Sequence, residues 1–282
     1  MNLQVLIAVA GSPSLLDAQL RAISRYFPAP TEVFVVDDSR ARRHSSNDFQ
    51  KQLSLQIKAV SQGGDAKYLR MPQHLHLLRR KQFPNTKRPI SRSASVRTAD
   101  SVQYGLGHLD QSRPIIMLDS DMLPISTFDP MAYFQDAPVW YLPQARTVNG
   151  TDVVYPWPGI FFKNEMHPDA IGSMNWDCDI VDGVALDTGG AMHAWLRQSG
   201  SLAREIVGLH SGRWKWHEDA PDLPRSLHEF LDFDAETNGG TQFSELFLGS
   251  FLHMRAGSNW NGQATSIYEH RRLLFIQGMN QL

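Results

Sequence analysis

Apolar residues fall into three unbroken runs in the first 125 positions, each closing on turn-forming or acidic residues. Leu3-Gln4-Val5-Leu6-Ile7-Ala8-Val9-Ala10 ends at Gly11-Ser12-Pro13, Thr31-Glu32-Val33-Phe34-Val35-Val36 ends at Asp37-Asp38, and Ile115-Ile116-Met117-Leu118 ends at Asp119-Ser120-Asp121. Continuous rather than alternating runs of this length mark strands buried on both faces, as in parallel sheets. Between the first two runs, Leu15, Leu16, Leu20 and Ile23 recur at helical spacing. They predict a helix from Ser14 to Tyr26 with Ser14 as its N-cap. Strand, helix and strand in that order form a βαβ unit with a right-handed crossover. A second helix is expected from Ser93 to Leu106, on Ala94, Val96, Ala99, Val102 and Tyr104, leading into the strand that ends at Asp119. The pattern predicts an α/β fold with a Rossmann-like, mostly parallel central sheet.

After Phe128 the texture changes. Pro138, Pro143, Pro156 and Pro158 interrupt it, and Trp140, Trp157, Trp176, Trp195, Trp214, Trp216 and Trp260 all lie here. A loop-rich, aromatic-rich half is expected, with any single Trp more readily placed in the core than on a cleft. The basic segment from Arg40 to about Arg80 shows no clean period. The whole reads as one domain over residues 1–282, with a ligand-binding half over 1–125 and a second half over 126–282.

At 282 residues and 42% hydrophobic, the chain can bury a sizeable core. No apolar run approaches the roughly 20 residues that span a bilayer, and Val5 to Ala10 lacks the basic flank and length of a signal peptide. A single cysteine, Cys178, fits a reducing compartment, so a cytoplasmic location is expected. The net charge of −2 hides a segregation: residues 40–97 carry +12 and the remainder −14. A basic face of that size suits an anion. With only Phe49, Tyr68 and Phe83 as aromatics and no recognisable module, nucleic acid is not the expected partner. A phosphorylated small molecule, an anionic acceptor or peripheral contact with a membrane surface fits better.

The chemistry concentrates at Asp119 and Asp121. If the strand runs through to Leu123, both acids leave it on the same side, roughly 7 Å apart along the chain. Two like charges held so close call for a cation, and carboxylate oxygens suit Mg²⁺ or Mn²⁺. Asp177/Asp179 and Asp232/Asp234 repeat the spacing but lack the apolar run before it. A third ligand is offered by His253, at the end of the apolar stretch from Phe247, since a neutral imidazole suits Mn²⁺. Beyond it, Arg255, Gly257 and Ser258 are placed to hydrogen-bond a phosphate.

In this order, the strand and turn Val5–Ser12, the acids after Val33, Leu118-Asp119-Ser120-Asp121 and the late His253 with Gly257-Ser258-Asn259-Trp260 resemble nucleotide-sugar glycosyltransferases of the GT-A fold. The resemblance implies Ala10 and Gly11 near the base or ribose, Asp37 or Asp38 on uracil or ribose, and Ser120 near the ribose. It also implies Asp119, Asp121 and His253 on Mn²⁺ or Mg²⁺ against the donor diphosphate, with Arg97 as a donor-binding cation. Asp187-Thr188-Gly189-Gly190 is similar to the acceptor side of several sugar-transferase families, where glycine lets backbone approach a sugar ring. Gly239–Leu246 resembles the helix that precedes the metal-binding His. His217-Glu218-Asp219 resembles, less well, an inverting family's acidic pair. Asp187, Glu218 and Asp219 are therefore the candidate bases for an acceptor hydroxyl.

The implied activity is metal-dependent, hexosyltransferase-like transfer from a nucleoside-diphosphate sugar to a saccharide or other hydroxyl acceptor, by a retaining or inverting route. The alternatives are three. A sugar-phosphate nucleotidyltransferase would want a Gly-rich basic loop after the first strand, where Gly11-Ser12-Pro13-Ser14 stands. A phosphatase with Asp119 as nucleophile would want Thr or Val where Leu123 stands. The last is a non-catalytic nucleotide-sugar-binding protein of the same fold.

Overall fold

The computed structural model describes residues 3–39, 47–76, 94–164, 174–199, 202–255 and 265–282. The three apolar runs become β1 (Leu3–Val9), β2 (Thr31–Asp37) and β4 (Ile115–Asp119), with β1 in the middle and parallel to both neighbours. The register pairs Val9 with Asp37 and Ala8 with Asp119, so all three strands end at one edge. β3 (Lys67–Arg70) adds a fourth parallel strand beside β2. On the far side of β4 the long hairpin of β6 (Val139–Val148) and β7 (Thr151–Lys163) joins antiparallel, and β10 (Ala203–Glu205) closes the sheet parallel to β6. The resulting seven-stranded, mostly parallel sheet has the order β10-β6-β7-β4-β1-β2-β3. The fold is mixed α/β, as the pattern predicts.

Alternate residues of β1 feed two cores. Val5, Ile7 and Val9 pack with Leu16 and Leu20 of α1 (Pro13–Tyr26) and Ile57 of α2 (Asn47–Gly63). Leu6 packs on the opposite face with Val102 of α3 (Ala94–Leu106) and with Trp176 and Trp195. A third cluster lies behind the small antiparallel sheet formed by β5 (Met122–Pro124), β11 (Gly208–Leu209), β12 (Glu245–Phe247) and β13 (Phe251–His253). It gathers Trp214, Trp216, Phe230 and, from α8 (Thr265–Asn280), Leu274 and Phe275. Four tryptophans are thus core residues, Trp140 and Trp157 are half-buried, and Trp260 lies outside the described residues.

Several expectations are corrected. α1 starts at Pro13 with Ser12 in the N-cap position, because proline is suited to the first helical turn. The strand after Arg113 does not run to Leu123: β4 stops at Asp119, and β5 belongs to the other sheet. Residues 139–163, expected to be loop-rich, are strands of 10 and 13 residues that accommodate Pro143, Pro156 and Pro158 at an irregularity where the register jumps between Tyr141/Phe161 and Leu142/Trp157. Proline in strands is confined to such bulges and edges. Gly239–Ser244 is a turn and not a helix, with Gly239 and Gly240 both at positive φ. Among the described residues no helix is long and apolar enough to cross a membrane. Two further helices flank the hairpin in sequence: α4 (Pro130–Phe134) precedes it, and α5 (His193–Ser199) follows the β8 (Asp179–Val181) and β9 (Val184–Leu186) ribbon.

Candidate metal and donor site

The break between β4 and β5 builds the site. Ser120 and Asp121 form a turn across which the chain passes from the large sheet to the small one. The first residue of β5, Met122, pairs with His253, which in turn pairs with Glu245. Asp121 is thereby delivered beside His253, with His253 Nε2 at 3.2 Å from Asp121 Oδ1 and Met254 N–H donating to Asp121 O at 3.0 Å. Ligand atoms of Asp119, Asp121 and His253 all lie within 4.8 Å of one another. The geometry differs from two acids on one strand face, but the three residues converge.

Burial and the neighbouring Asp121 charge push the Asp119 carboxyl up to about 7. Burial alone would lower His253, but Asp121 and Glu245 outweigh it and hold the imidazole at about 10. Glu245 moves down despite its own burial, because His210 and His253 stand beside it. Its Oε2 lies 2.9 Å from His253 Nδ1. A carboxylate on the remote nitrogen of a histidine fixes the ring and turns the other nitrogen toward a cation. Two hard oxygens and an oriented imidazole fit Mn²⁺ or Mg²⁺, which would take the place of the proton that His253 shares with Asp121.

Two buried polar residues fasten this arrangement from behind. Gln19 of α1, fully buried, donates from Nε2 to Asp119 O and Met122 O at 2.7 Å each. Arg271 of α8 and Asp234 of α7 (His228–Glu236), both buried, form an ion pair through Arg271 Nε. The same guanidinium donates to Met254 O and, at 2.9 Å, to Arg255 O. Asp234 also accepts from Ser244 N–H and Oγ–H at 2.8 Å. This accounts for Asp234 as a structural acid, while Asp232 accepts from Trp216 Nε1 at 2.9 Å.

The rest of the edge where the parallel strands end lies one strand away. Ala10 is exposed, Gly11 and Ser120 are half-buried, and Asp37 and Asp119 flank β1 on either side, roughly 10 Å apart at two strand spacings. Asp37 is fully buried and locked into the framework. It accepts from Ser39 N–H at 2.8 Å and from the Ser54 and Tyr68 hydroxyls at 2.7 Å, and pairs with Arg70 at 2.7 Å. Asp38 is nearly as buried, held by Arg97, by His76 Nε2 at 3.0 Å and by Gln73 at 3.2 Å. Arg97 therefore reaches Asp38, through both its carboxylate and its carbonyl at 2.9 Å, instead of standing as a lone phosphate-binding cation. His76 Nδ1 lies 2.7 Å from buried Asp100, and these two carboxylates raise the imidazole against the opposing effect of burial.

On the other flank, Trp157 lies with its ring 5.1 Å from that of His253. The adjoining Pro156 carbonyl meets Gly189, where a Cβ would stand 2.2 Å from the oxygen and where φ is +87°. Asp187 is half-buried beside this contact, its Oδ1 accepting from Thr188 N–H at 2.7 Å. The turn thus meets Pro156, the chain neighbour of the Trp157 that packs on His253. Glu218 and Asp219 do not join them. They sit exposed on the four-residue helix α6 (Trp216–Asp219), Glu218 pairing with Lys215 at 2.9 Å and Asp219 accepting its backbone N–H at 2.8 Å. Neither belongs to the group that could hold a metal. Asp177 and Asp179 likewise accept backbone N–H groups of the next residue. Arg255, half-buried, follows His253 with its guanidinium 4.9 Å from the Phe243 ring, and Ser258 lies outside the described residues.

No family model and no curated relative matches the sequence. Solved structures do show a similar outline. The solved structures in question are glycosyltransferases. One is the galactosyltransferase LgtC in complex with donor and acceptor sugar analogs, at 14% identity and a TM-score of 0.36, with 57% of each chain covered. Another is S. aureus TarS 1–349 in complex with UDP, at 17% identity and 0.33, covering 54% of this chain and 37% of that one. A third is the apo form of mouse xyloside xylosyltransferase 1, at 11% identity and 0.43, covering 82% of this chain and 93% of that one. The chain therefore spans only a little over half of LgtC and about a third of the TarS fragment.

Proposed function

We propose that the chain is a metal-dependent glycosyltransferase that moves a sugar from a nucleoside-diphosphate donor to a hydroxyl acceptor. The observation that carries this reading is the convergence of Asp119, Asp121 and His253 at the edge where three parallel strands end. Ligands of open α/β sheets bind at that edge. Asp119, Asp121 and His253 would hold Mn²⁺ or Mg²⁺, which supplies charge neutralisation for a departing diphosphate. With an ion bound, Glu245 would accept from His253 Nδ1–H and so leave Nε2 for the ion. We assign the exposed Ala10, the half-buried Gly11 and Ser120, and Asp38, whose N–H donates to Val9 O at 2.8 Å, to the nucleoside.

Asp187 is the residue we assign to the acceptor. It is half-buried next to a glycine turn that admits close backbone approach, and a carboxylate there can orient a sugar hydroxyl and take its proton. Trp157 supplies an aromatic face beside His253. We assign Arg255 to the diphosphate. A nucleotidyltransferase is not favoured, because the loop after β1 carries no basic residue and the first one along α1, Arg21, pairs with Asp17 at 2.7 Å. A cytoplasmic setting fits a chain whose single cysteine is buried.

A thermal-shift screen of nucleoside-diphosphate sugars with and without Mn²⁺ tests the proposal. A donor at 100 times its dissociation constant should stabilise by about 2.7 kcal/mol, and only with metal present. A flat response across the panel would overturn it.

A further inference from the structure

We propose that Gln19 is a positioning residue that sets the geometry of the metal cluster, acting on its carboxylates through the backbone. The inference rests on the metal reading of Asp119, Asp121 and His253. Gln19 lies in the middle of the buried stripe of α1, between Leu15 and Leu16 on one side and Leu20 and Ile23 on the other. An apolar residue at this position would pack that stripe at lower cost. Instead both amide N–H groups are used, on carbonyls 100 and 103 residues away along the chain. Since both partners are carbonyls, the amide can only present nitrogen to them. Gln19 Oε1 has no hydrogen-bond partner among the described residues. Leaving a buried acceptor unmet is costly, so the position is held for its donors.

The two carbonyls it joins belong to Asp119 and Met122, and they bracket Ser120 and Asp121. Two carboxylates within 4.8 Å repel, and an unrestrained turn would open to separate them. Gln19 ties both ends of that turn to one rigid helix. The opposite side is held separately, by Met254 N–H on Asp121 O. Gln19 touches neither metal nor substrate in this scheme.

The test is Mn²⁺ binding, followed by calorimetry and by the electron paramagnetic resonance of the ion, with thermal melting in parallel. The proteins are the full chain, Gln19→Met and Gln19→Glu. Met keeps the packing and removes both donors, while a neutral Glu keeps one O–H donor for two carbonyls. We expect Met to weaken Mn²⁺ binding by about tenfold or more, the scale seen when outer-shell support is removed. Glu should fall between Met and the parent, and both should melt within a few degrees of it. Parent-like affinity in the Met variant overturns the role of Gln19 while leaving the metal centre intact. Failure of both variants to fold overturns it as well, because Gln19 would then be holding the fold. Absence of Mn²⁺ binding by the parent chain refutes the metal reading itself.

Discussion

Replacing Arg271 by Leu removes the cation from a pair in which both side chains are fully buried. Asp234 would keep its two donors from Ser244 but lose its counter-charge, and Met254 O and Arg255 O would each lose a charge-assisted donor. Breaking a buried pair from one side costs about 3–5 kcal/mol, mostly because the remaining charge is stranded. At about 2–4 °C per kcal/mol for a chain of this size class, the melting temperature should fall by roughly 6–20 °C. Asp234→Leu should cost a similar amount. The double variant strands no charge, so its loss should be about 2 kcal/mol or more below the sum of the two. Urea titration of the four proteins measures this directly. Additive losses, or single losses under about 1 kcal/mol, would refute the idea that this pair is an uncompensated charge in waiting and a clamp on the strand end after His253.

Three further outcomes are expected. His76 is raised above 6.5 by Asp100 and Asp38, so its stabilising contribution is complete below about pH 6.5 and fades as pH rises through the folded value. The melting difference between the parent and His76→Gln should therefore be largest near pH 6 and shrink toward pH 9; a gap that widens with pH would contradict this. Gly189→Ala puts a Cβ against the Pro156 carbonyl at a positive φ, and should destabilise by about 1–3 kcal/mol in urea; a neutral change would show that the turn relaxes freely. Glu245→Gln removes the charged partner of His253 Nδ1 and should weaken Mn²⁺ about 10–100-fold by calorimetry, with unchanged affinity counting against the oriented-imidazole account.

β1, β2 and β4 were legible because each is buried on both faces, which leaves a continuous apolar signature. α2 was harder: Leu53, Ile57 and Val60 carry its stripe through a basic, polar surround that blurs the period. The strands of the small sheet, two or three residues long, are below the length at which a period exists. Three prolines disguised the β6–β7 hairpin. The metal cluster was legible as a set of residues, yet its geometry depends on a sheet change at Ser120 that no local pattern encodes. Arg97 and Asp37 were singled out by position alone; the structure gives both to internal pairing. Gln19 and Arg271 left a readable trace, each a polar residue inside an otherwise apolar helical stripe. Such interruptions mark buried polar groups that need distant partners.

The central claim is that Asp119, Asp121 and His253 form one metal centre serving a nucleoside-diphosphate sugar. Asp121 is buried and offers a ligand atom within 4.8 Å of both others, so Asp121→Asn removes a ligand charge with little change in shape. The deciding measurement is Mn²⁺-dependent cleavage of the donor identified by thermal shift, for the parent and Asp121→Asn, with melting curves confirming that both are folded. Cleavage by the parent that requires Mn²⁺ and falls at least about a hundredfold in the variant is the predicted result. Equal turnover in the two proteins, or turnover indifferent to Mn²⁺, would contradict it.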